Sequence, residues 1–178
     1  MIIGSSAKAL TNVRKQTIIA IIYFQVKGEN NLKNNVQEQI IKFNRLFKQY
    51  NDIYRSAARN FNMPELALWI LYVLREKSKC TQKDLVDLLL QPKQSIHSAL
   101  RTLVKDGYVL LEYTKNNRKS KYIQLTDKGI ALAKNTADQI VQAENTAFLA
   151  LTDSERKTFI KLFEHLTSAL REEMRKVK

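Results

Sequence analysis

The sequence predicts a mainly α-helical chain with one small β-hairpin, and three observations support this. Gly and Pro number only 4 and 2 in 178 residues, whereas sandwiches, barrels and propellers need these residues for their many turns. Apolar residues recur at helical spacing in the first and last thirds of the chain. In the middle third, three short helical patterns precede two short stretches with the alternation of strands.

The first long helix is predicted over residues 36–61. Its apolar residues follow one another at alternating steps of four and three, a period of about 3.5 residues. A helix of this length cannot enclose a small core alone, so this apolar stripe needs long partners. The stripe consists of Val36, Ile40, Phe43, Phe47, Tyr50, Tyr54, Ala57 and Phe61.

Three short helices are predicted next. The first begins near Pro64, where the missing N–H of proline costs nothing. The second is capped by Thr81, and the third runs from Pro92 to Gly107, a glycine well placed to follow a helix. Their apolar faces are Leu66, Trp69, Ile70, Val73 and Leu74, then Leu85, Val86 and Leu89, then Ile96, Ala99, Leu100, Leu103 and Val104.

A hairpin follows these helices. Residues 108–113 and 122–125 are strand-like, and residues 114–121 between them are polar and basic, which predicts a short flexible tip. Three short helices followed by a hairpin with a basic tip are the layout of a winged helix-turn-helix.

The end of the chain predicts further long helices. Thr126 is the expected N-cap of a helix whose apolar face continues to Leu151. Thr152 and Glu155 have the spacing of a capping box, which begins a helix with the apolar stripe Phe159, Phe163, Leu166, Leu170 and Met174. The long helices at both ends are expected to pack on each other and on a second copy of the chain; a monomer that buries them internally is the alternative.

Positive charge is concentrated in one quarter of the chain. The formal net charge is +13, and residues 77–121 hold ten Lys and Arg against four Asp and Glu. A charge run alone is typical of a solvated face, but this one coincides with the helix-turn-helix pattern. The chain is therefore expected to bind a polyanion, namely double-stranded DNA.

The third short helix supplies the candidate DNA-contacting residues. A recognition helix needs an apolar face to dock on its own domain and a polar face for base edges, where Gln pairs with adenine and Arg with guanine. A cationic hairpin tip can enter a narrow minor groove. The candidates are Lys93, Gln94, Ser95, His97, Ser98 and Arg101 in the helix, and Lys115, Asn116, Asn117, Arg118 and Lys119 at the tip.

Two segments resemble MarR-type transcriptional regulators. Residues 100–109, LRTLVKDGYV, resemble the end of that family's recognition helix, and residues 117–129, NRKSKYIQLTDKG, resemble its wing and the start of the next helix. Arg118 matches the wing arginine and Lys119 its basic neighbour, whereas Asn117 replaces the usual Asp and cannot form the wing's internal ion pair. The resemblance implies an obligate homodimer, a pseudo-palindromic DNA site, and repression that a ligand relieves.

The resemblance also implies an effector pocket between the dimer helices and the winged domain. Arg55 is a candidate anchor for a small aromatic or anionic ligand. Aromatic residues at helical spacing are more often part of a core than of a pocket. The candidate pocket residues are Phe47, Tyr50, Tyr54, Arg55, Trp69 and Tyr72.

These patterns divide the chain into an N-terminal extension (1–35), helical dimerisation regions (36–61 and 127–178) and a winged helix-turn-helix (62–126). The extension is interpreted as an arm, an extra helix or residues ahead of the natural start. Its apolar run, Ile18 to Phe24, is shorter than the ~20 residues that span a bilayer and lacks an A-x-A cleavage site. A cytoplasmic protein that does not bind membranes is expected.

Other chemistry receives little support from the sequence. Cys80, close to a helix start and to Lys79 and Lys83, is either an oxidant-sensing thiol whose pKa these positive groups lower or a small packing residue. His97 and His165 are too far apart for a metal site, and no catalytic order of side chains or phosphate-binding loop is present. No cofactor, metal or enzymatic activity is expected. The alternative function is a nucleoid- or RNA-associated winged helix without sequence specificity.

Overall fold

A computed structural model describes residues 34–114 and 117–177. The predicted fold class is confirmed: the described chain is mostly helical, with one small antiparallel sheet. The described residues fall into two compact units, residues 34–54 and residues from 55 onward. The elements in chain order are α1 (34–60), α2 (Glu65–Lys77), β1 (Lys79–Thr81), α3 (Gln82–Leu89), α4 (Lys93–Lys105), β2 (Val109–Thr114), β3 (Asn117–Leu125), α5 (Asp127–Lys134), α6 (Ala137–Leu149) and α7 (Asp153–Met174).

Helix α1 confirms the first long helical prediction. Its described part in the first unit presents Val36, Ile40, Phe43, Phe47 and Tyr50 with 38–52% of each residue exposed. The first five residues of the predicted apolar stripe are therefore solvent-accessible within a single chain, whereas Tyr54, Ala57 and Phe61 are half-buried. The predictions made for residues 1–33 lie outside the described residues.

Helix α2 is the centre of the core in the second unit. It contacts α4, α5, α6 and β3, so more of its circumference is buried than a single amphipathic face would be. Ile70, Val73 and Leu74 are buried as predicted, whereas Leu66 and Trp69 are only half-buried. Three residues outside the predicted face are also buried: Ala67, Leu68 and Leu71.

The sheet has three strands in the order β1-β3-β2, all antiparallel. Strand β1 was not predicted; it pairs Cys80 with Ile123 on β3. The β2–β3 hairpin, called the wing below, has a longer second strand than predicted. Thr114 pairs with Asn117, so the backbone of residues 117–121 lies in β3 and not in a loop. The reason is that backbone pairing with β2 continues through this polar segment, and such context can outweigh the strand propensity of the residues themselves.

The C-terminal helices differ from the prediction at one point. The helix that begins at Thr126 ends at Lys134, and α6 starts at Ala137. At this break the hydroxyl of buried Thr136 donates to the carbonyl of Leu132, and the Asn135 side chain donates to that of Ala131. In a continuing helix these carbonyls would accept hydrogen bonds from backbone amides, so the two side chains compete with the helix at this point.

Helix α7 confirms the predicted capping box. Thr152 and Glu155 exchange both cap hydrogen bonds. No residue of this helix is buried in the described chain, and its apolar stripe is 39–60% exposed. The stripe predicted from Phe159 to Met174 is thus a continuous apolar surface.

Candidate nucleic-acid interface

Helix α4 is defined at both ends by its sequence. Pro92 occupies the N-cap position with an extended backbone. At the other end Gly107 adopts a φ of +75°, and its amide donates to the carbonyl of Val104. The amide of Tyr108 donates to the carbonyl of Leu103. This Schellman arrangement satisfies the last helix carbonyls and confirms the predicted role of Gly107.

The two faces of α4 have different chemistry. Ile96, Leu100 and Leu103 are buried in the domain. Of the six predicted DNA-contacting residues, five are exposed and Ser95 is half-buried. The first turn of α4 contains no acidic residue, so no carboxylate there offsets the positive end of the helix dipole. The exposed residues are Lys93, Gln94, His97, Ser98 and Arg101.

In the neighbouring helix α3, the carboxylate of Asp84 is part of the N-terminal cap. The amide and hydroxyl of Thr81 donate to Asp84 Oδ2 at 2.8 and 2.9 Å, and the amide of Asp84 donates to Thr81 Oγ1 at 3.2 Å. The hydrogen bonds from Thr81 hold the pKa of Asp84 below its ordinary value. The predicted cap at Thr81 is therefore confirmed as a capping box.

The start of α5 is bonded to the end of α4. The hydroxyl of Thr126 donates to the carbonyl of Gly107 at 2.7 Å and accepts from the amide of Gly129 at 3.0 Å. Lys128 Nζ donates to the carbonyl of Asp106 at 2.8 Å and lies 4.5 Å from the ring centroid of Tyr108. We call this set of contacts, made by Thr126 and Lys128 with residues 106–108, the α4–α5 junction. Sequence reasoning identified the cap at Thr126 but missed its hydrogen bond to the end of α4.

The wing carries Lys and Tyr side chains in contact. Lys121 Nζ lies 4.8 Å from the ring centroid of its cross-strand partner Tyr113, and Lys79 Nζ lies 5.1 Å from that of Tyr122. At these distances the rings attract the ammonium groups. Of the predicted tip residues, Asn117, Arg118 and Lys119 have their backbone in β3, and Lys115 and Asn116 lie outside the described residues.

A cleft of about 600 Å³ lies between α3, α4 and the wing. Its lining combines apolar side chains with basic ones, a chemistry that suits an anionic molecule with apolar surface. The apolar residues are Val86, Leu100, Val104, Leu111 and Ile123, and the basic ones are Lys83, Lys93, His97, Arg101 and Lys121.

The six candidate effector residues belong to both units. In the first unit, Tyr50 and Tyr54 have their hydroxyls 2.9 Å apart, and Phe47 lies one turn earlier. In the second unit, Arg55 Nε is 3.8 Å from Glu65 Oε2. There too, Trp69 and Tyr72 pack edge to face. These contacts describe each set separately, and the effector pocket remains a prediction.

Cys80 is a buried packing residue. Its pairing with β3 leaves it 3% exposed. Burial, with a smaller effect of the negative charge of Asp84, raises the pKa of its thiol from 9.0 to about 11. A lowered pKa was the premise of the oxidant-sensing interpretation, so the structure contradicts that premise.

We expect Cys80 to react very slowly in the folded protein. A pKa near 11 leaves about 100-fold less thiolate at pH 8 than a pKa near 9, and burial adds a barrier to access. Reaction with a chromogenic disulfide reagent at pH 8, with and without denaturant, measures this. The chain has one Cys, so the unfolded protein is its own control. Equal rates in both conditions would contradict the burial of this thiol.

Within residues 34–114 and 117–177, no helix combines the length and apolarity needed to span a membrane. No group of three or more His, Cys, Asp or Glu side chains there is arranged to hold a metal ion.

Comparison with known proteins identifies relatives of this region. Residues 61–118 match the model of the MarR family. The chain is similar to YwhA of Bacillus subtilis (strain 168), an uncharacterized HTH-type transcriptional regulator. The two are 26% identical over 98 residues, which are 55% of this chain and 70% of YwhA.

Solved structures share the fold at lower identity. NMB1585, a MarR family regulator from Neisseria meningitidis, superposes with a TM-score of 0.69 at 16% identity, covering 79% of this chain and 99% of that one. The C80S mutant of MarR from E. coli, complexed with operator DNA, gives a TM-score of 0.57 at 20% identity, covering 72% and 95%. At these identities the similarity shows the fold.

Proposed function

Because residues 61–118 match the model of the MarR family, we propose that the protein binds a specific sequence of double-stranded DNA as a homodimer and represses transcription. Residues 62–126 form the DNA-binding domain in this proposal. Residues 36–61 and 127–178 form the dimerisation region.

The exposed polar face of α4 is the observation that carries this proposal. Five donor-bearing side chains are exposed opposite a buried apolar face, and the first turn lacks a carboxylate that would repel phosphate. Such a helix can enter a major groove with its first turns next to the base edges. The predicted contacts are Lys93, Gln94, Ser95, His97, Ser98 and Arg101 from α4, and Lys115, Asn116, Asn117, Arg118 and Lys119 from the wing.

The homodimer is supported by the exposed apolar stripes. An apolar stripe over the 22 residues of α7, none of them buried, is larger than a stable monomer normally exposes. A second copy can cover it with the same surface, as in a twofold interface. Two recognition helices held in this way can contact successive major grooves, ~34–36 Å apart.

Selection of bound sequences from a random duplex pool, followed by footprinting, tests the proposal. We expect a twofold-symmetric site with half-sites about one helical turn apart. At one salt concentration the selected site should bind ~10³-fold or more tighter than random DNA. Equal affinity for random DNA or RNA would indicate the non-specific alternative. A single unrepeated half-site, or a strictly monomeric protein in sedimentation, would contradict the dimer.

Arg118 is expected to contact the DNA backbone from the wing. Arg118→Ala should weaken binding to all sequences and reduce the slope of log K against log salt by about one, the effect of one lost phosphate contact. Fluorescence anisotropy over a salt series measures the slope. Unchanged affinity together with an unchanged slope would remove Arg118 from the interface.

We further propose that a small aromatic acid releases the DNA. The lining of the cleft beside α4 suits such a ligand, and a further structural neighbour, NadR, was solved in complex with 4-hydroxyphenylacetate. Mobility shifts with that acid and with benzoate test release. Tyr54→Ala should abolish release if the ligand binds at the predicted aromatic pocket, and Val86→Phe should do so if it binds in the cleft. DNA binding unaffected by millimolar acid would contradict both.

A further inference from the structure

Helices α2 and α6 are joined by a bidentate ion pair. Arg75 Nε donates to Asp138 Oδ1 at 2.8 Å, and Arg75 Nη2 donates to Asp138 Oδ2 at 2.7 Å. This fork-to-fork geometry constrains orientation as well as distance. The hydrogen bonds from Arg75 hold the pKa of Asp138 below its ordinary value, so the pair is charged at neutral pH.

A second polar contact lies beside the first. Tyr72 Oη donates to Glu144 Oε2 at 2.8 Å, one turn before Arg75 on α2 and about one and a half turns after Asp138 on α6. Since the earlier residue of α2 pairs with the later residue of α6, the two helices run antiparallel at this contact. Two attachments separated along both helices resist rotation of one helix against the other.

These contacts lie between the recognition helix and the exposed apolar helix. On one side, α2 packs against α4 in the core of the winged domain. On the other side, Arg156 in the first turn of α7 donates to the carbonyl of Phe148 in the last turn of α6 and to that of Leu151 in the connection between the two helices. The orientation of α4 relative to α7 therefore depends on the angle between α2 and α6.

We propose that Arg75 and Asp138 are positioning residues that set the half-site spacing at which the dimer binds DNA; this rests on the proposed function. If α7 lies at the twofold axis, each recognition helix is ~17 Å from that axis. A rotation of ~10° at this radius moves the helix by ~3 Å, close to the 3.4 Å rise of one base pair. A small change in the α2–α6 angle therefore changes the preferred spacing.

The ion pair of Arg75 with Asp138 is expected to contribute little to the free energy of unfolding. The Arg75 and Asp138 side chains are 33% and 27% exposed, and partly exposed ion pairs add little to the free energy of unfolding. Arg75→Ala should therefore melt near the wild-type temperature. This separates an effect on spacing from a loss of folded protein.

The test uses the full chain and a set of duplexes. Each duplex carries the selected half-site twice, with the centre-to-centre spacing varied from two base pairs shorter to two longer, and one duplex carries a single half-site. We expect the wild type to favour one spacing by about tenfold, within the range of couplings carried by contact networks. Arg75→Ala and Asp138→Asn should reduce this preference to about threefold or less, with unchanged affinity for the single half-site.

The double variant Arg75→Asp/Asp138→Arg is expected to recover most of the preference, because it restores an opposite-charge pair across the same two helices. Glu76→Ala is the matched control, since it removes an exposed charge next to Arg75 on α2 and should keep the wild-type preference. A wild-type spacing preference in Arg75→Ala would overturn the inference and leave the proposed function intact. Lost affinity for the single half-site would assign the pair to the winged domain alone and would also overturn it. A wild type without any spacing preference would overturn the proposed dimeric binding itself.

Discussion

Gly129→Ala is expected to lower the free energy of unfolding by about 3 kcal/mol and the midpoint of thermal unfolding by about 10 °C. A Cβ on Gly129 would lie 1.9 Å from the carbonyl oxygen of Tyr108 and 2.9 Å from its carbonyl carbon. Both atoms are backbone at the α4–α5 junction and cannot move away as a side chain would. In an unconstrained helix the same change stabilises by about 1 kcal/mol, so packing reverses the sign expected from helix propensity.

Gly107→Ala is the matched control for this prediction. A Cβ there meets nothing within 4 Å, but Gly107 has a φ of +75°, which costs an L-residue about 1–2 kcal/mol. Denaturant unfolding monitored by circular dichroism compares the two variants. A Gly129→Ala protein as stable as the wild type would contradict the close approach of α5 to Tyr108.

The largest expected effect on DNA binding comes from Arg101→Ala. Arg101 is exposed on α4 opposite the buried Ile96 and Leu103, and its guanidinium can pair with both acceptors of a guanine. We expect affinity for the selected operator to fall about 10- to 100-fold and base preference to relax at one position of each half-site. Repeating the selection with the variant protein measures this relaxation.

Two comparisons decide the interpretation of the Arg101 result. Arg101→Lys keeps the charge but loses the planar fork, so we expect it to retain the salt dependence and lose base preference. Lys161→Ala removes one charge from α7, on the side away from the apolar stripe, and should bind like the wild type. An equal loss on operator and random DNA in Arg101→Ala would assign Arg101 to a phosphate and not to a base.

Sequence periodicity and cap residues predicted most of the described helices. Thr81, Thr126 and Thr152 each accept a hydrogen bond from the amide three residues further along the chain, because cap chemistry depends on neighbours in the chain. The same holds for the ends of α4, which Pro92 and Gly107 define. The exposed polar face of α4 was predicted from the helical spacing of its apolar residues.

Features that depend on distant residues could not be predicted in this way. Strand β1 is three residues long and exists because it pairs with β3, about 40 residues later. The same pairing buries Cys80, so the local signal of nearby lysines predicted the wrong direction for its pKa. The ion pair of Arg75 with Asp138 joins residues 63 positions apart, and no periodic pattern indicates such a partner. The break at Asn135 and Thr136 contains neither Gly nor Pro, the usual signals for a helix end.

The α4–α5 junction has a practical consequence for isolating the DNA-binding part of the protein. A piece cut after Leu125 would lack Thr126 and Lys128, whose side chains bond the carbonyls at the end of α4. The smallest excised piece with an intact recognition helix must therefore extend through α5, into the segment that sequence patterning assigned to dimerisation.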